Sequence, residues 1–419
     1  MSSLSYAEQL RNDLFHAYED ARKNKRNTLA QLEFEKNAEH NLIILYHELL
    51  EGSYSPGKSL CFLSHSPVLR EVFASEFRDR IVQHLLFNYI APIFEKTFIY
   101  DSYSCRKGKG TLFGIERLEH HMRSCTNNYT QKAYVLKMDI QGYFMSIKKK
   151  RLFEIVKNEL MKYWEKHGSN CNIPGKNPEF ILWLVETIIF KDHTLDCFVL
   201  GDKKEWKLLP ATKSLFHQPE GVGLPIGDLT SQLFSNIYLN MLDQMIKRKL
   251  RIKHYGRYVD DFYLIHPSKA YLKSLVPEIR RFLKDELGLT LHPKKIYLQP
   301  CNHGVAFLGA FVKPHRKYAA PRSLKNFRKS SKNIIAFCSK EELTLHEIED
   351  IRASLNSYLG YLGHFKEYKN IHKSLTRSDV FKHLYFASGY KKAIPYKRYI
   401  DLRKQKCELK QDLHRILKS

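Results

Sequence analysis

HYGRYVDDFYLI, residues 254–265, is the stretch that decides how this chain folds. Its two halves are rich in aromatic and β-branched residues: Tyr255, Tyr258 and Val259, then Phe262, Tyr263, Leu264 and Ile265. Such residues fit a pleated, half-buried surface, so both halves read as strands. The acidic pair Asp260-Asp261 interrupts them, which predicts a hairpin with the aspartates at or near its tip. Aspartate is also a common turn former, so the pair taken alone has a plain structural reading.

A third carboxylate in matching surroundings changes that balance. AYVLKMDIQGYFMSI (133–147) begins as a buried strand, reaches Asp139 at the strand's end and breaks at Gly142. Carboxylates at the ends of adjacent central strands converge on one point. Phosphoryl transfer from a nucleoside triphosphate uses two Mg²⁺ about 3.5–4 Å apart, one activating the attacking hydroxyl and one holding the triphosphate. Hard cations of this kind take oxygen ligands. Asp139, Asp260 and Asp261 meet that requirement, with Mg²⁺ the expected ion and Mn²⁺ an alternative.

Outward from these two segments the chain alternates helices and single strands. Residues 4–24 and 36–51 read as amphipathic helices, the second stopped by Gly52 and the turn Ser53–Gly57. Ser59–Leu63 and Val68–Ala74 read as strands joined at His65-Ser66-Pro67, and 76–95 as a mostly buried helix. Helices are expected at 149–165, 179–190, 229–250 and 269–287, a loop at 166–178, and strands around 195–209, 289–298 and 305–312. Everything after about residue 320 reads as helical and basic. The pattern is α+β with a central sheet, followed by a helical appendage.

Composition narrows the partners. The 419 residues suit two or three packed subdomains, and 43% of them are hydrophobic, enough for a real core. Lys and Arg number 69 against 44 Asp and Glu, a net charge of +25, which favours a polyanion because neutralised phosphates release counterions. No run of about 18 apolar residues and no N-terminal signal pattern is found, so a membrane role is not expected. The eight cysteines are scattered singly, without CxxC spacing, which indicates neither a disulfide framework nor a zinc site. A nucleic-acid-binding protein of the cytoplasm is the expectation.

At this point the residues resemble a known family. Tyr258-Val259-Asp260-Asp261 resembles the Y-x-D-D hairpin of reverse transcriptases, and Val135–Ile147 their first catalytic segment, with Phe144 five residues after the aspartate. GVGLPIGDLTSQLFSNIYLN (221–240) resembles the segment leading into the helix behind template and nucleotide. Leu289–Lys295 and Phe307-Leu308-Gly309 resemble the remaining palm motifs, in order over roughly 55–315. Within the family, Ile226-Gly227 and Ser231-Gln232 stand where most relatives carry Gln-Gly and Ser-Pro. That substitution resembles the reverse transcriptases of bacterial and phage diversity-generating retroelements, as do Leu209-Pro210, Lys213–Phe216 and Ser357–Gly360. Retron, antiphage and group II intron enzymes are neighbouring possibilities, and a catalytically inactive RNA-binding scaffold is a further one.

The resemblance implies a right-hand polymerase: an N-terminal helical extension (1–54), fingers (55–132), a palm with a central antiparallel sheet (133–318, with a fingers segment around 166–222) and a helical basic thumb and tail (319–419). It implies Asp139, Ile140, Asp260 and Asp261 as metal ligands, the three aspartates being catalytic. It places Arg70, Arg106, Phe144, Ile226, Gly227, Gln232 and Lys295 around the nucleotide. Arg70 would meet the triphosphate with a planar donor fork, and Phe144 would lie under the sugar and clash with a 2′-hydroxyl. Lys295 would give a proton to the leaving pyrophosphate. Ile226 has no donor where a glutamine would hold the nascent pair, which implies low fidelity, with errors at template adenines. The implied partners are template RNA, the RNA/DNA duplex, dNTPs and a small basic accessory protein that forms oligomers.

Overall fold

The computed structural model describes residues 5–23, 28–65, 68–168, 177–195, 197–340, 342–376 and 378–401. Part of the expected His65-Ser66-Pro67 turn, most of the 166–178 loop and the end of the expected tail lie outside these. Helices α1 (Tyr6–Arg22), α2 (Leu29–Glu35) and α3 (Ala38–Glu51) open the chain. Strands β1 (Ser59–Ser64) and β2 (Arg70–Ala74) follow, then α4 (Phe77–Glu95) and α5 (Thr111–Cys125). Next come β3 (Tyr134–Asp139), α6 (Tyr143–Ser146), α7 (Lys149–His167), α8 (Pro178–Phe190), β4 (Cys197–Val199) and α9 (Lys203–Trp206). Helix α10 (Leu229–Gln244), β5 (His254–Tyr258), β6 (Asp261–His266), α11 (Lys269–Leu287) and β7 (Tyr297–Pro300) complete the first part.

The chain divides into two compact units, residues 1–117 with 124–299, and 118–123 with 300–419. At the centre of the first lies a four-stranded sheet in the order β5-β6-β3-β7, with β5–β6 and β6–β3 antiparallel. The register sets Asp139 opposite Asp261 and Tyr258 opposite Asp261 on its other side. The buried runs Leu136, Met138, Phe262 and Leu264 join one core with α4, α7 and α10. A second sheet, β2-β1-β4, pairs β1 and β2 antiparallel and β1 and β4 parallel.

The second unit holds a three-stranded meander, β8 (Val305–Phe307), β9 (Ala310–Lys313) and β10 (Arg316–Ala319). Helices α12 (Pro321–Cys338), α13 (Leu345–Gly363) and α14 (Tyr368–Leu375) follow. A hairpin of β11 (Leu384–Phe386) and β12 (Ala393–Pro395) then breaks the all-helical expectation for this region.

Four local expectations change. The stretch 195–209 yields only the short β4, because the Asp202 side chain caps the helical turn α9 through Lys204 N–H. The helix expected over 229–250 ends its α-pattern at Gln244 and widens into a π-turn, Met245–Lys249, closed by Leu250 N–H on Met245 O at 3.0 Å. Around 289–298 the ladder is reduced to a single bridge, Ile140 to Leu291, before β7 begins. The strand expected over 305–312 is two strands folded back on each other, β8 and β9. Among the described residues no helix is long and apolar enough to cross a membrane.

Candidate active site

Antiparallel pairing of β3 with β6 brings Asp139 and Asp261 side by side, and the two-residue turn Val259-Asp260 carries the third carboxylate. The segments are tied by main-chain bonds: Ile140 N–H donates to Asp260 O at 3.2 Å. His292 N–H donates to Asp139 O at 2.8 Å, and Gln141 N–H to Thr290 O at 2.9 Å. Just beyond, Lys295 is brought over the site, its Nζ 3.1 Å from both carboxylate oxygens of Asp139. Lys137, two residues before Asp139 and on the same face of β3, sets its Nζ 3.0 Å from Asp261 Oδ2.

Three carboxylates in this space disfavour one another's charge. Burial, then the Asp139 charge, pushes Asp260 up to about 6. Burial also pushes Asp261 up to about 6, with Lys137 pulling the other way. Asp261 Oδ1 is buried and has no hydrogen-bond partner. An orphaned anionic oxygen beside two further carboxylates is a donor set for a hard divalent cation. Ile140 can offer such an ion only its main-chain carbonyl, because its side chain is apolar and buried. Among the described residues no three acidic, His or Cys side chains close around one point. Magnesium does not require that closure, since it keeps waters and substrate phosphates in its shell and takes one or two carboxylates.

The turn itself is strained. Among its central residues only Val259 has positive φ, +54°, and the first central position of such a hairpin normally takes glycine. A β-branched residue there is disfavoured by about 1–3 kcal/mol. Its neighbour Arg257 is fully buried, donating to Asp243 at 2.8 and 2.6 Å and to Val259 O at 3.1 Å. Neither Arg257 nor Asp243 was singled out from the sequence. An arginine inside an otherwise apolar strand was the one available signal, since such a charge must find a partner.

The expected nucleotide residues fall into groups. Phe144 and Ile226 are partly buried against one small apolar cluster of Cys61, Phe73, Met145 and Leu215. Ile226 O accepts the Phe73 amide at 2.8 Å. Gly227 sits at φ +136°, and a Cβ there would lie 2.1 Å from Phe73 O, so no larger residue fits. Arg70 is exposed at the start of β2, and its charge opposes the rise that burial gives the Tyr258 phenol. Gln232 is exposed on the first turn of α10. Arg106 is engaged elsewhere: it grips Glu95 through Nε at 2.9 Å and Nη2 at 2.6 Å, and the carbonyls of Ile99 and Ser102 at 2.7 and 2.9 Å. Its donors hold the chain between α4 and α5, leaving little of the guanidinium for a phosphate.

A central antiparallel sheet that sets Asp139 beside Asp261 and carries Asp260 on the adjoining turn, backed by long helices, is the arrangement expected of a polymerase palm. Residues 69–312, more than half of the chain, match the family described as Reverse transcriptase (RNA-dependent DNA polymerase), and the chain belongs to that family. Its enzyme class is that of an RNA-directed DNA polymerase. Protein YkfC of Escherichia coli (strain K12) is 24% identical over 316 residues, 67% of this chain and 74% of that one. A COX1/OXI3 intron 2 protein of Saccharomyces cerevisiae is 22% identical over 350 residues, 74% of this chain and 38% of that one. Among solved structures, telomerase from Candida albicans with a TWJ fragment of telomeric RNA gives a TM-score of 0.43 at 12% identity, covering 77% of this chain and 55% of that one. Apo telomerase from Candida tropicalis, truncated from its C-terminal domain, gives 0.44 at 12% identity, covering 63% and 54%. The chain thus spans about half the length of these solved relatives.

Proposed function

We propose that this chain is the error-prone reverse transcriptase of a diversity-generating retroelement, copying template RNA into cDNA. The placement of Asp139 opposite Asp261, with Asp260 on the adjoining turn and one Asp261 oxygen unpartnered, supports the catalytic half of this reading. Asp139, Asp260 and Asp261, with the Ile140 carbonyl, would hold two Mg²⁺ or Mn²⁺. When bound, such ions lower the pKa of the primer 3′-hydroxyl and neutralise the triphosphate.

The chain's own residues do the rest. The primer hydroxyl loses its proton to water and forms its bond to the α-phosphorus as the bond to the bridging oxygen breaks, and Lys295 gives a proton to the departing pyrophosphate. Arg70 steadies the triphosphate, with Gln232 and Gly227 bordering the nucleotide and Phe144 beneath its sugar. The apolar Ile226 side chain offers the nascent pair no hydrogen bond, and this supports loose positioning. On the same reading, 1–54 are the N-terminal extension, 55–132 the fingers, 133–318 the palm and 319–419 the thumb and tail. The enzyme works in the cytoplasm with RNA/DNA duplex, dNTPs and a small basic accessory oligomer.

The test is Mg²⁺-dependent dNTP incorporation on a defined RNA template, wild type against Asp260→Ala with Asp261→Ala. Loss of incorporation in the variant is expected. Equal activity in the two proteins would overturn the reading.

A further inference from the structure

The Asp260 side chain hangs from a turn whose first residue adopts a conformation valine disfavours, and a buried network grips that residue at both of its main-chain polar groups. Val259 O accepts from Arg257 Nη1 at 3.1 Å, while Val259 N–H donates to Ser104 Oγ at 3.3 Å. Ser104 Oγ in turn donates to Asn236 Oδ1 at 3.1 Å, and Asn236 Nδ2 donates to Ser104 O at 2.9 Å. Arg257 Nη1 also reaches Asn236 Oδ1 at 3.4 Å, so both arms meet at one amide. The guanidinium is fixed by a two-pronged pair to Asp243, which Tyr255 reinforces with a hydroxyl bond of 2.6 Å. Arg257 and Asp243 are both fully buried.

Asp243 and Asn236 lie on α10, seven residues apart and therefore on one face of that helix. The helix is a rigid post. From it the network reaches across to the hairpin and holds Val259 by its amide and its carbonyl together. A turn that bends the other way would release both bonds at once. The pair does not serve stability well by itself, since buried ion pairs commonly do no better than apolar residues of the same volume. Its arrangement is better explained by the geometry it imposes.

We infer that Arg257 and Asp243, with Ser104 and Asn236, are positioning residues that lock the Val259 turn in its strained form and so set where Asp260 points. This rests on the reading of Asp260 as a catalytic carboxylate. The clamp selects one turn conformation before substrate arrives, so its loss should lower kcat and leave substrate binding nearly intact.

Replacing both members of the pair, Asp243→Leu with Arg257→Met, removes the clamp without leaving a lone buried charge. On poly(rA) primed with oligo(dT), with dTTP and Mg²⁺, kcat is expected to fall about tenfold or more while KM stays within about threefold. Adding Val259→Gly to that variant should recover much of kcat, because glycine takes positive φ without strain. Should the pair replacement fail to fold, Ser104→Ala decides: it removes the acceptor for Val259 N–H and the hydroxyl donor to Asn236 Oδ1, and leaves the Arg257–Asp243 pair in place. Its kcat should fall about threefold, again with rescue by Val259→Gly. Unchanged kcat in the folded pair variant or in Ser104→Ala, or a kcat loss that Val259→Gly does not relieve, would overturn the clamp. Asp260→Ala run alongside separates the two readings. If it retains activity, the catalytic assignment fails; if it is inactive while the pair variant is fully active, only the clamp fails.

Discussion

The amide of Phe73 donates to the carbonyl of Ile226 over 2.8 Å, which makes the strand bearing Arg70 and the segment bearing Ile226 one hydrogen-bonded unit. Further bonds tie the same two elements. Glu71 is buried and accepts from Leu215 N–H at 2.6 Å and Ser214 Oγ at 2.7 Å. Ser75 Oγ donates to Asp228 Oδ1 at 2.6 Å. Whatever moves β2 therefore moves the floor on which the nucleotide is expected to rest.

Gly227→Ala tests that coupling. A Cβ at this position would meet Phe73 O at 2.1 Å, and the positive φ adds strain of its own. The variant should lose about 1–3 kcal/mol of stability, read from urea midpoints, as the Phe73–Ile226 bond opens. The KM for dNTP should rise more than kcat falls, since the contact supports nucleotide placement rather than the carboxylates. A urea midpoint equal to wild type would show that the segment relaxes without harm.

Ile226→Gln addresses accuracy on the same segment. Ile226 and Phe144 are both partly buried against one small apolar cluster, and a glutamine at 226 would bring a hydrogen-bonding amide to the segment expected to border the nucleotide. One added hydrogen bond is worth about 0.5–1.5 kcal/mol, so misincorporation should drop by about twofold to twelvefold. Sequencing cDNA copied from a template rich in adenine measures this directly. An unchanged error spectrum would remove Ile226 as the cause of low fidelity.

The parts of this site that were legible in the sequence are those where pattern and chemistry coincide. Tyr258–Ile265 reads as a hairpin because aromatic and β-branched residues flank an acidic pair, and Asp139 reads as a strand end because Val135–Met138 is apolar. What escaped notice depends on tertiary partners. Arg257 looks like one more charge until Asp243, fourteen residues earlier in the chain, is packed against it. Arg106 sits in a basic, glycine-interrupted run that suggests phosphate, yet Glu95 on α4 takes up its donors. Leu289–Leu298 is β-rich, but backbone pairing needs a neighbour in register, and one is supplied only at Leu291 and again from Tyr297. Val259 breaks the turn rule outright, and such departures gather where function imposes geometry.

Asp260→Asn should trade activity for stability. Burial and the Asp139 charge raise Asp260 to about 6, so at neutral pH the folded protein holds this charge less readily than the unfolded chain does. A raised acid pKa lowers stability above that value, and the penalty fades as pH falls below about 6. Neutralising the side chain in metal-free buffer at pH 7.5 should stabilise the fold by about 1–2 kcal/mol, discounted because the residue is partly exposed. Incorporation should fall by about a thousandfold or more in the same protein. A less stable Asp260→Asn in EDTA would mean that the carboxylate makes a supporting contact in the folded state.

His193 gives a dependence on pH that is independent of the carboxylates. Its Nδ1 lies 2.9 Å from Ser59 Oγ, and Nε2 lies 3.6 Å from Asp228 Oδ2, just beyond hydrogen-bond range. That carboxylate is too little to keep the ring charged: burial, then Lys191 and Lys149, brings it from 6.5 down to about 3. The unfolded chain therefore takes up a proton that the folded chain refuses. Stability should fall by about 1.4 kcal/mol for each pH unit below about 6.5, continuing toward 3. His193→Gln removes the titration while keeping a polar side chain opposite Ser59. At pH 7.5 the variant should be less stable than wild type by about 1–2 kcal/mol, for lost hydrogen bonds. At pH 5 the wild type alone carries a penalty of about 2 kcal/mol, so the difference should close or reverse. Urea midpoints for both proteins at the two pH values decide the matter. If the two lose stability in parallel, His193 is already charged in the folded state and the buried contact with Asp228 is an ion pair.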